Sequence, residues 1–368
     1  MLFKGLVSYV ILCIGNPFSR GKRIFVTYQI YYSILFLNWL NSTASKRILI
    51  WIVLLIMSNS MLAQNSVQSP GKPLPGPVFN NDLNPGQPDK QRIWLIVGLH
   101  AATWAGSYIA LNEAWYADYP KEPFHFFNDN REWNQMDKAG HVWTTYQVSR
   151  FSSGLWKWAR LNHRQSAWLG GISGVAYQSI IELQDGFSSE WGFSWGDMLA
   201  NIGGAALFVS QELGWHEQRI QVKMSYWPYD YTTPELKARR NQLFGNGFAE
   251  RILKDYNAQT YWLSANINSF FPSLKMPGWL NIAAGYNSDG LLGGFENTWT
   301  DKLGNDVDRT DIPRVRRFLL SADIDLTKIK TNSKFLKTVF SVVNMVKIPA
   351  PALELNSSGS FKVHAIYF

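Results

Sequence analysis

The spacing of apolar residues divides this chain into a helical half and a strand-rich half. Four apolar-periodic stretches of helical length lie between residues 92 and 216. From residue 217 the period changes to two, most clearly at residues 261–268, 279–286, 318–327 and 361–368. We therefore predict an α+β protein with an antiparallel four-helix core, followed by a small antiparallel β-sheet region that includes one amphipathic helix.

The strand predicted at residues 318–326 places Ser321, Asp323 and Asp325 on one face and apolar residues on the other. This alternation is typical of an antiparallel sheet with one face in water, so we expect a half-solvated sheet. The chain ends in an aromatic residue, as the closing strand of an outer-membrane barrel does. Four to six predicted strands are fewer than the roughly eight that such a barrel needs. We therefore favour a small sheet beside the helices, with a half-barrel completed by oligomerisation as the alternative.

Two helix starts can be placed from capping residues. Asn134 precedes Asp137 by three residues, and Ser194 precedes Asp197 by three, which is the spacing of an N-cap followed by an acid in the first helical turn. A helix at residues 166–183 lies between them and stops before an Asp-Gly pair. Short connections make successive helices antiparallel. The two starts and the intervening end should therefore lie at the same end of the bundle.

This end of the bundle should gather the polar groups of all three helices. Asp137 and His141 lie one turn apart on one face, Asp197 and Asn201 do the same, and Glu182 comes from the helix between them. His141 oriented by Asp137 would act as a general base, and Glu182 with Asp197 would hold a divalent ion or share a proton. The catalytic candidates are Asp137, His141, Glu182 and Asp197, and the ligand-binding candidates are Lys138, Gln184, Ser194 and Asn201.

The same residues also suit a purely structural network. Acids in the first turn of a helix are favoured by the helix dipole, Asn201 can bond a neighbouring helix, and Lys138 can pair with Glu182. The cluster contains a single histidine, so the residues define neither a metal site nor a cofactor.

The order Asp-Lys-x-x-His, Glu-x-Gln and Ser-x-x-Asp-x-x-x-Asn-x-x-Gly resembles the YfiM/VanZ-like group of bacterial envelope proteins. The resemblance is closest to the YfiM-like lipoprotein branch, in its longer Bacteroidetes form, and covers residues 137–210 most strongly. The matching positions are Asp137, Lys138, His141, Glu182, Gln184, Ser194, Asp197, Asn201 and Gly203. The resemblance implies a cell-envelope location and this helical core, but no reaction. The chain has no cysteine at the usual lipidation position before the helices.

Composition narrows the possible partners. Residues 1–63 contain six basic and no acidic residues, which leaves 29 basic against 27 acidic residues in the rest of the 368-residue chain. This near balance argues against nucleic-acid binding. Residues 1–63 are predicted as a leader, with a signal peptide at 45–63 and a possible start-site artefact at 1–40. Residues 64–91 are predicted as a disordered linker, 92–216 as the helical core and 217–368 as the β region.

Three functional hypotheses follow. We favour a cell-envelope protein exported to the periplasm and associated with the outer membrane, in a structural or lipid- or ligand-binding role. Its expected partners are a lipid surface and, in addition, a second copy of the chain or another envelope protein. The alternative is a membrane-surface hydrolase that uses His141 as its base with carboxylate or metal assistance. A small-solute transporter requires all four helices to span, which the polar second helix argues against.

Overall fold

The computed structural model describes residues 87–116, 119–301 and 304–368. Its helical half consists of α1 (Lys90–Leu111), α2 (Met136–Trp158), α3 (His163–Asp185) and α4 (Trp195–Trp215). A π-helical turn extends α1, and a 3₁₀ turn precedes α2. The predicted four-helix core is therefore confirmed. The predicted leader and the predicted linker up to residue 86 lie outside the described residues.

Local signals in the sequence set the helix starts. Ser194 caps α4, because its hydroxyl accepts a hydrogen bond from the backbone N–H of Asp197 at 3.1 Å, as predicted. Asn162 caps α3 through a reciprocal capping box with Gln165. The predicted N-cap of α2 at Asn134 is wrong. The three residues before α2, ending at Gln135, have left-handed backbone conformations. The Asn134 side chain instead donates a hydrogen bond to the Ser288 hydroxyl of the sheet.

Small residues let α2, α3 and α4 approach one another closely. A Cβ added to Gly170 would lie 2.6 Å from the Ser149 carbonyl oxygen on α2, and one added to Gly174 would lie 2.8 Å from the Thr145 carbonyl oxygen. A Cβ added to Gly204 of α4 would come closer still to a backbone carbonyl oxygen of α2. The glycines of α3 and α4 therefore allow these helices to pack closely on α2.

The second half forms a six-stranded antiparallel sheet in the order β1-β2-β3-β6-β7-β8. Its strands are β1 (Ile220–Tyr226), β2 (Gln259–Asn266), β3 (Leu280–Asp289), β6 (Val315–Ile324), β7 (Ala350–Asn356) and β8 (Phe361–Tyr367). A separate hairpin comprises β4 (Thr298–Thr300) and β5 (Asp306–Asp308). Four shorter helices complete the fold: α5 (Pro234–Phe244), α6 (Phe248–Lys254), α7 (Ile267–Phe270) and the amphipathic α8 (Lys334–Val343).

The sheet coils strongly enough to bring its two outer strands together. Trp227, just after β1, stacks on Phe368, just after β8, with ring centroids 4.3 Å apart. Tyr367 of β8 packs against Trp262 of β2. One face of the sheet is therefore enclosed, and the other faces outward.

The enclosed face is the polar one, so the expectation of a half-solvated sheet is wrong. Ser321 and Asp323 are buried, whereas Phe318 and Leu320 on the opposite face of β6 are exposed. The helices cover part of the outward face: Val222 of β1 packs with Tyr146 and Phe208, and Tyr261 of β2 packs against Met136 of α2.

Helix α1 lies at the periphery of the bundle. Ile96 is its only buried residue, and it packs against Leu155 and Trp156 of α2. Trp94 and Ile109 are 73% and 59% exposed. Within the described part of the chain, α1 alone is long and apolar enough to cross a membrane.

Candidate functional site

The polar groups of three helices meet at one end of the bundle, as the sequence predicts. The start of α2 contributes Asp137, Lys138 and His141, the end of α3 contributes Gln178 and Glu182, and the start of α4 contributes Asp197 and Asn201. Asp129 joins them from the loop before α2. We call this set of eight residues, Asp129, Asp137, Lys138, His141, Gln178, Glu182, Asp197 and Asn201, the polar centre.

Lys138 holds three carboxylates of the polar centre together. Its Nζ lies 2.7 Å from both Asp129 Oδ2 and Asp197 Oδ1, and 3.3 Å from Asp137 Oδ2. Burial disfavours the ammonium form, but the charges of Asp137 and Asp197 outweigh it and raise the pKa of Lys138. Lys138 is therefore a permanent cation here, and the predicted pairing of Lys138 with Glu182 is replaced by these three contacts.

The two ring nitrogens of His141 face different groups. Nδ1 lies 3.0 Å from Asn201 Oδ1 and 3.3 Å from Gln178 Nε2. Asn201 Oδ1 also accepts from the Thr145 hydroxyl, so an Nδ1–H donating to Asn201 fits this contact, and in that tautomer Nδ1 accepts no hydrogen bond from the Gln178 amide. Nε2 then carries the lone pair and faces Asp137 Oδ1 at 3.7 Å and Asp197 Oδ1 at 3.8 Å.

Burial and neighbouring charges shift the pKa values of the carboxyl groups in different directions. Burial, together with the negative charges of Asp185 and Asp137, raises the pKa of Glu182 to about 9. Burial and the adjacent charge of Asp137 also raise the pKa of Asp197. Burial opposes ionisation of Asp137 as well, but His141, Lys138 and the Tyr256 hydroxyl hold its pKa below the ordinary value. These opposite shifts favour ionisation of Asp137 before Asp197.

Glu182 is a buried acceptor without a donor on one oxygen. Its side chain is fully buried, and within the described chain its Oε1 has no hydrogen-bond donor, although it lies 3.7 Å from His141 Nδ1. The backbone N–H of Ser194 donates to its other oxygen at 3.4 Å. A buried carboxylate oxygen without a hydrogen-bond donor destabilises the folded state unless a proton or a cation binds to it.

The net charge of the polar centre also indicates that a proton or a cation is needed there. With every carboxyl group ionised, Asp129, Asp137, Glu182 and Asp197 carry four negative charges, against one positive charge on Lys138 when His141 is neutral. Two protons or one divalent cation would remove two of the three excess negative charges. Asp137, His141 and Asp197 can each offer one ligand atom, and these three atoms lie within 4.8 Å of one another.

The other predicted ligand-binding residues lie at the edge of the polar centre or away from it. The Ser194 hydroxyl caps α4 and donates to Asp129 Oδ1 at 2.5 Å, so it positions the polar centre. Gln184 donates to the Tyr108 carbonyl oxygen and lines a cavity of about 370 Å³ between α1 and α3. Neither His141 nor Asp137 lines that cavity. The structure therefore separates Gln184 from the other candidates.

Sequence reasoning missed three members of this environment. Asp129 lies in an aromatic loop without periodicity, and Tyr256, whose hydroxyl donates to Asp137 Oδ1 at 3.0 Å, comes from the C-terminal half of the chain. Neither Asp129 nor Tyr256 is marked by a sequence motif or by helical spacing to another residue of the polar centre. Gln178 lies one helical turn before Glu182, and that spacing on α3 was a signal that could have found it.

Comparison with known proteins gives one match. Residues 125–211 match a family described as "Predicted periplasmic lipoprotein (DUF2279)". The matched segment contains every residue of the polar centre. No curated protein and no solved structure matches the chain. The match supports a bacterial envelope family with a periplasmic location, and the narrower YfiM-like or VanZ-like assignment stays a prediction.

Proposed function

We propose that this envelope protein binds a divalent metal cation at Asp137, His141 and Asp197, and that the cation links the start of α2 to the start of α4. The observation that carries the proposal is the convergence of three ligand atoms within 4.8 Å at a centre whose negative groups outnumber its positive ones. Imidazole and carboxylate together are ligands that Zn²⁺ and Mn²⁺ accept.

The two separations between His141 and the aspartates require only a small contraction. Ligand atoms about 2.0–2.1 Å from a tetrahedral metal lie about 3.4 Å from one another. The separations of 3.7 and 3.8 Å between His141 Nε2 and the two aspartates exceed this value slightly. Asp137, whose side chain is 25% exposed, offers the route of entry.

Neighbouring groups support the proposed ligands. Asn201 accepts from His141 Nδ1, which would direct the Nε2 lone pair toward the ion, and Tyr256 donates to Asp137. Such second contacts fix the orientation of metal ligands. Lys138 is a competing cation, because its Nζ contacts the same Asp197 oxygen. Binding would loosen that contact, and Asp129 would keep the ammonium paired.

The hydrolase hypothesis has less support from the geometry. A general base needs substrate within hydrogen-bond reach, but His141 is only 12% exposed and lies outside the cavity beside Gln184. Both of its ring nitrogens face groups of the polar centre. A small ion fits this environment better than a lipid or polymer substrate.

Metal titration tests the proposal. Chelator-treated protein is titrated with Zn²⁺, Mn²⁺, Mg²⁺ and Ca²⁺ in a calorimeter, and bound metal is counted by mass spectrometry. One ion per chain is expected. A hundredfold excess over Kd should raise the melting temperature by about 3–5 °C, since such binding adds about 2.7 kcal/mol.

Variants assign the ion to this site. His141→Gln and Asp137→Asn should each abolish binding, whereas His125→Gln, in the loop outside the polar centre, should retain it. If the chelated wild-type protein binds no ion, or if both variants bind it unchanged, the proposal is wrong. A fall in melting temperature in both variants without any metal dependence would assign the cluster to a structural network.

A further inference from the structure

The C-terminal sheet has the reverse of the polarity expected of a sheet in water. On β6, Ser321 and Asp323 point into the enclosed space, while Phe318 and Leu320 point outward and are 52% and 46% exposed. On β7, Glu354 is buried, and its two neighbours in sequence are exposed. The reversal therefore extends over adjacent strands.

The register joins the outward residues into continuous rows. One row runs across five strands through Leu263, Ala284, Leu320, Leu353 and Val363. A second row runs through Tyr286, Phe318, Leu355 and Phe361. Each of these positions is apolar or aromatic. We call the surface formed by the two rows the outer sheet face.

Charged and polar groups on the enclosed side pair with one another. Lys223 and Asp323 form an ion pair of 2.7 Å with both side chains fully buried, and the Ser264 hydroxyl donates to the same carboxylate. Glu354 pairs with His364 at 2.8 Å. Burying such groups costs free energy even when they are paired. Each Å² of apolar surface that the outer sheet face leaves in water would cost about 25 cal/mol relative to burial.

Both costs have one explanation if the surroundings of the sheet are apolar. We propose that the outer sheet face lies against the acyl chains of a phospholipid bilayer. Strands that face lipid alternate apolar outward and polar inward residues, which is the observed pattern. A protein partner would ordinarily supply one hydrogen bond for every 100–200 Å² of interface. The two rows present only the Tyr286 hydroxyl, and that group already donates to the Asn134 carbonyl oxygen.

The ends of the sheet fit the same arrangement. The turn between β2 and β3 exposes Phe271, Leu274 and Trp279 and carries Lys275 among them. Aromatic and basic residues together are typical of the boundary between lipid and water. The opposite end carries the Arg317–Asp289 ion pair, which suits an aqueous side.

Site-directed fluorescence quenching tests this contact independently of the cation site. In the full chain with Cys13→Ser, single cysteines replace Leu320, Leu355 or, as a control, the exposed Glu235 of α5. Each is labelled with a small environment-sensitive fluorophore. The protein is reconstituted in vesicles of phosphatidylethanolamine and phosphatidylglycerol that contain acyl-brominated lipid. Quenching is expected at 320 and 355 and not at 235.

A charge introduced on the face provides the second measurement. Leu320→Glu should reduce co-sedimentation with the same vesicles at least about tenfold, whereas Ser358→Glu, in the exposed turn between β7 and β8, should leave it unchanged. Circular dichroism checks that both variants fold. Absence of quenching at 320 and 355 would overturn the proposal. So would a disulfide between two copies of the unlabelled Leu320→Cys variant without lipid quenching, because it would assign the outer sheet face to a second copy of the chain.

Discussion

Replacing Lys223 by methionine tests whether the interior of the coiled sheet is held by a charged pair. Lys223 Nζ donates to Asp323 Oδ2 at 2.7 Å, to the Ile324 carbonyl oxygen at 2.8 Å and to Asn344 Oδ1 at 3.1 Å, so all three of its hydrogens have acceptors. Methionine fills a similar volume and removes the charge. Asp323 would then remain fully buried with the Ser264 hydroxyl and the Ile348 N–H as its donors.

The expected loss follows from leaving that carboxylate unpaired. Removing one partner of a buried ion pair costs about 3–5 kcal/mol of unfolding free energy, which corresponds to a fall in melting temperature of about 4–7 °C for a chain of this size. The double variant Lys223→Met/Asp323→Leu removes both charges. It should recover to within about 1–2 kcal/mol of the wild type, because replacing both partners by apolar groups is often neutral or stabilising.

The assay is urea unfolding in mild detergent, followed by circular dichroism, for both single variants and the double variant. Lys328→Met serves as the control, because the Lys328–Glu217 pair is partly exposed and its loss should cost at most about 1 kcal/mol. If Lys223→Met loses no more than this control, the enclosed side of the sheet is not a low-dielectric interior. A double variant as unstable as Lys223→Met would likewise contradict the reasoning.

Three further predictions concern the helices, the polar centre and the sheet interior. Gly174→Ala should cost about 1–3 kcal/mol in urea unfolding, because its Cβ would press on Ser149 of α2, whereas Gly154→Ala, which has open space, should stabilise by about 0.5–1 kcal/mol. Lys138→Met should tighten divalent-cation binding at least about tenfold in calorimetry, because it removes a competing positive charge. Burial lowers the pKa of Lys347 to about 8. Between that pH and about 10.4 the unfolded chain keeps a proton that the folded chain has released, so stability should rise with pH in this window, and Lys347→Met should abolish the rise.

The convergence of the polar helices could be predicted because it rests on local rules. Ser194 caps α4, and helical spacing places Asp137 with His141 and Asp197 with Asn201. The Asn134 cap failed because tertiary contacts overrode the local preference. The Asn134 carbonyl oxygen accepts from the Tyr286 hydroxyl, and its side chain reaches Ser288, so the sheet holds this segment in the left-handed region.

The sheet shows a different limit of sequence reasoning. Alternation with period two predicts strands, and four of the six strands of the main sheet follow the predicted stretches at residues 261–268, 279–286, 318–327 and 361–368. The same alternation is compatible with either face being enclosed, so it cannot decide whether Asp323 or Leu320 meets the surroundings. Strand β7 was missed because Pro349 and Pro351 argue against a strand. Pro351 lies at a register shift between Ala350 and Ala352, where the missing N–H is tolerated.

The helices repeat the reversal found in the sheet. On α4, Asp197, Asn201 and Gln211 are buried, whereas Leu199 and Ile202 are 68% and 49% exposed. The α3 helix likewise buries Ser166, Ser173, Gln178, Glu182 and Gln184 and exposes Trp168, Ile172 and Leu183. Internal hydrogen bonds and ion pairs gain strength when the surroundings are apolar, because water no longer competes for the same groups. One apolar environment would therefore account for both the polar centre of the bundle and the charged interior of the sheet. On this reasoning, detergent removal should expose the apolar surfaces of both halves together and lead to association of the whole chain.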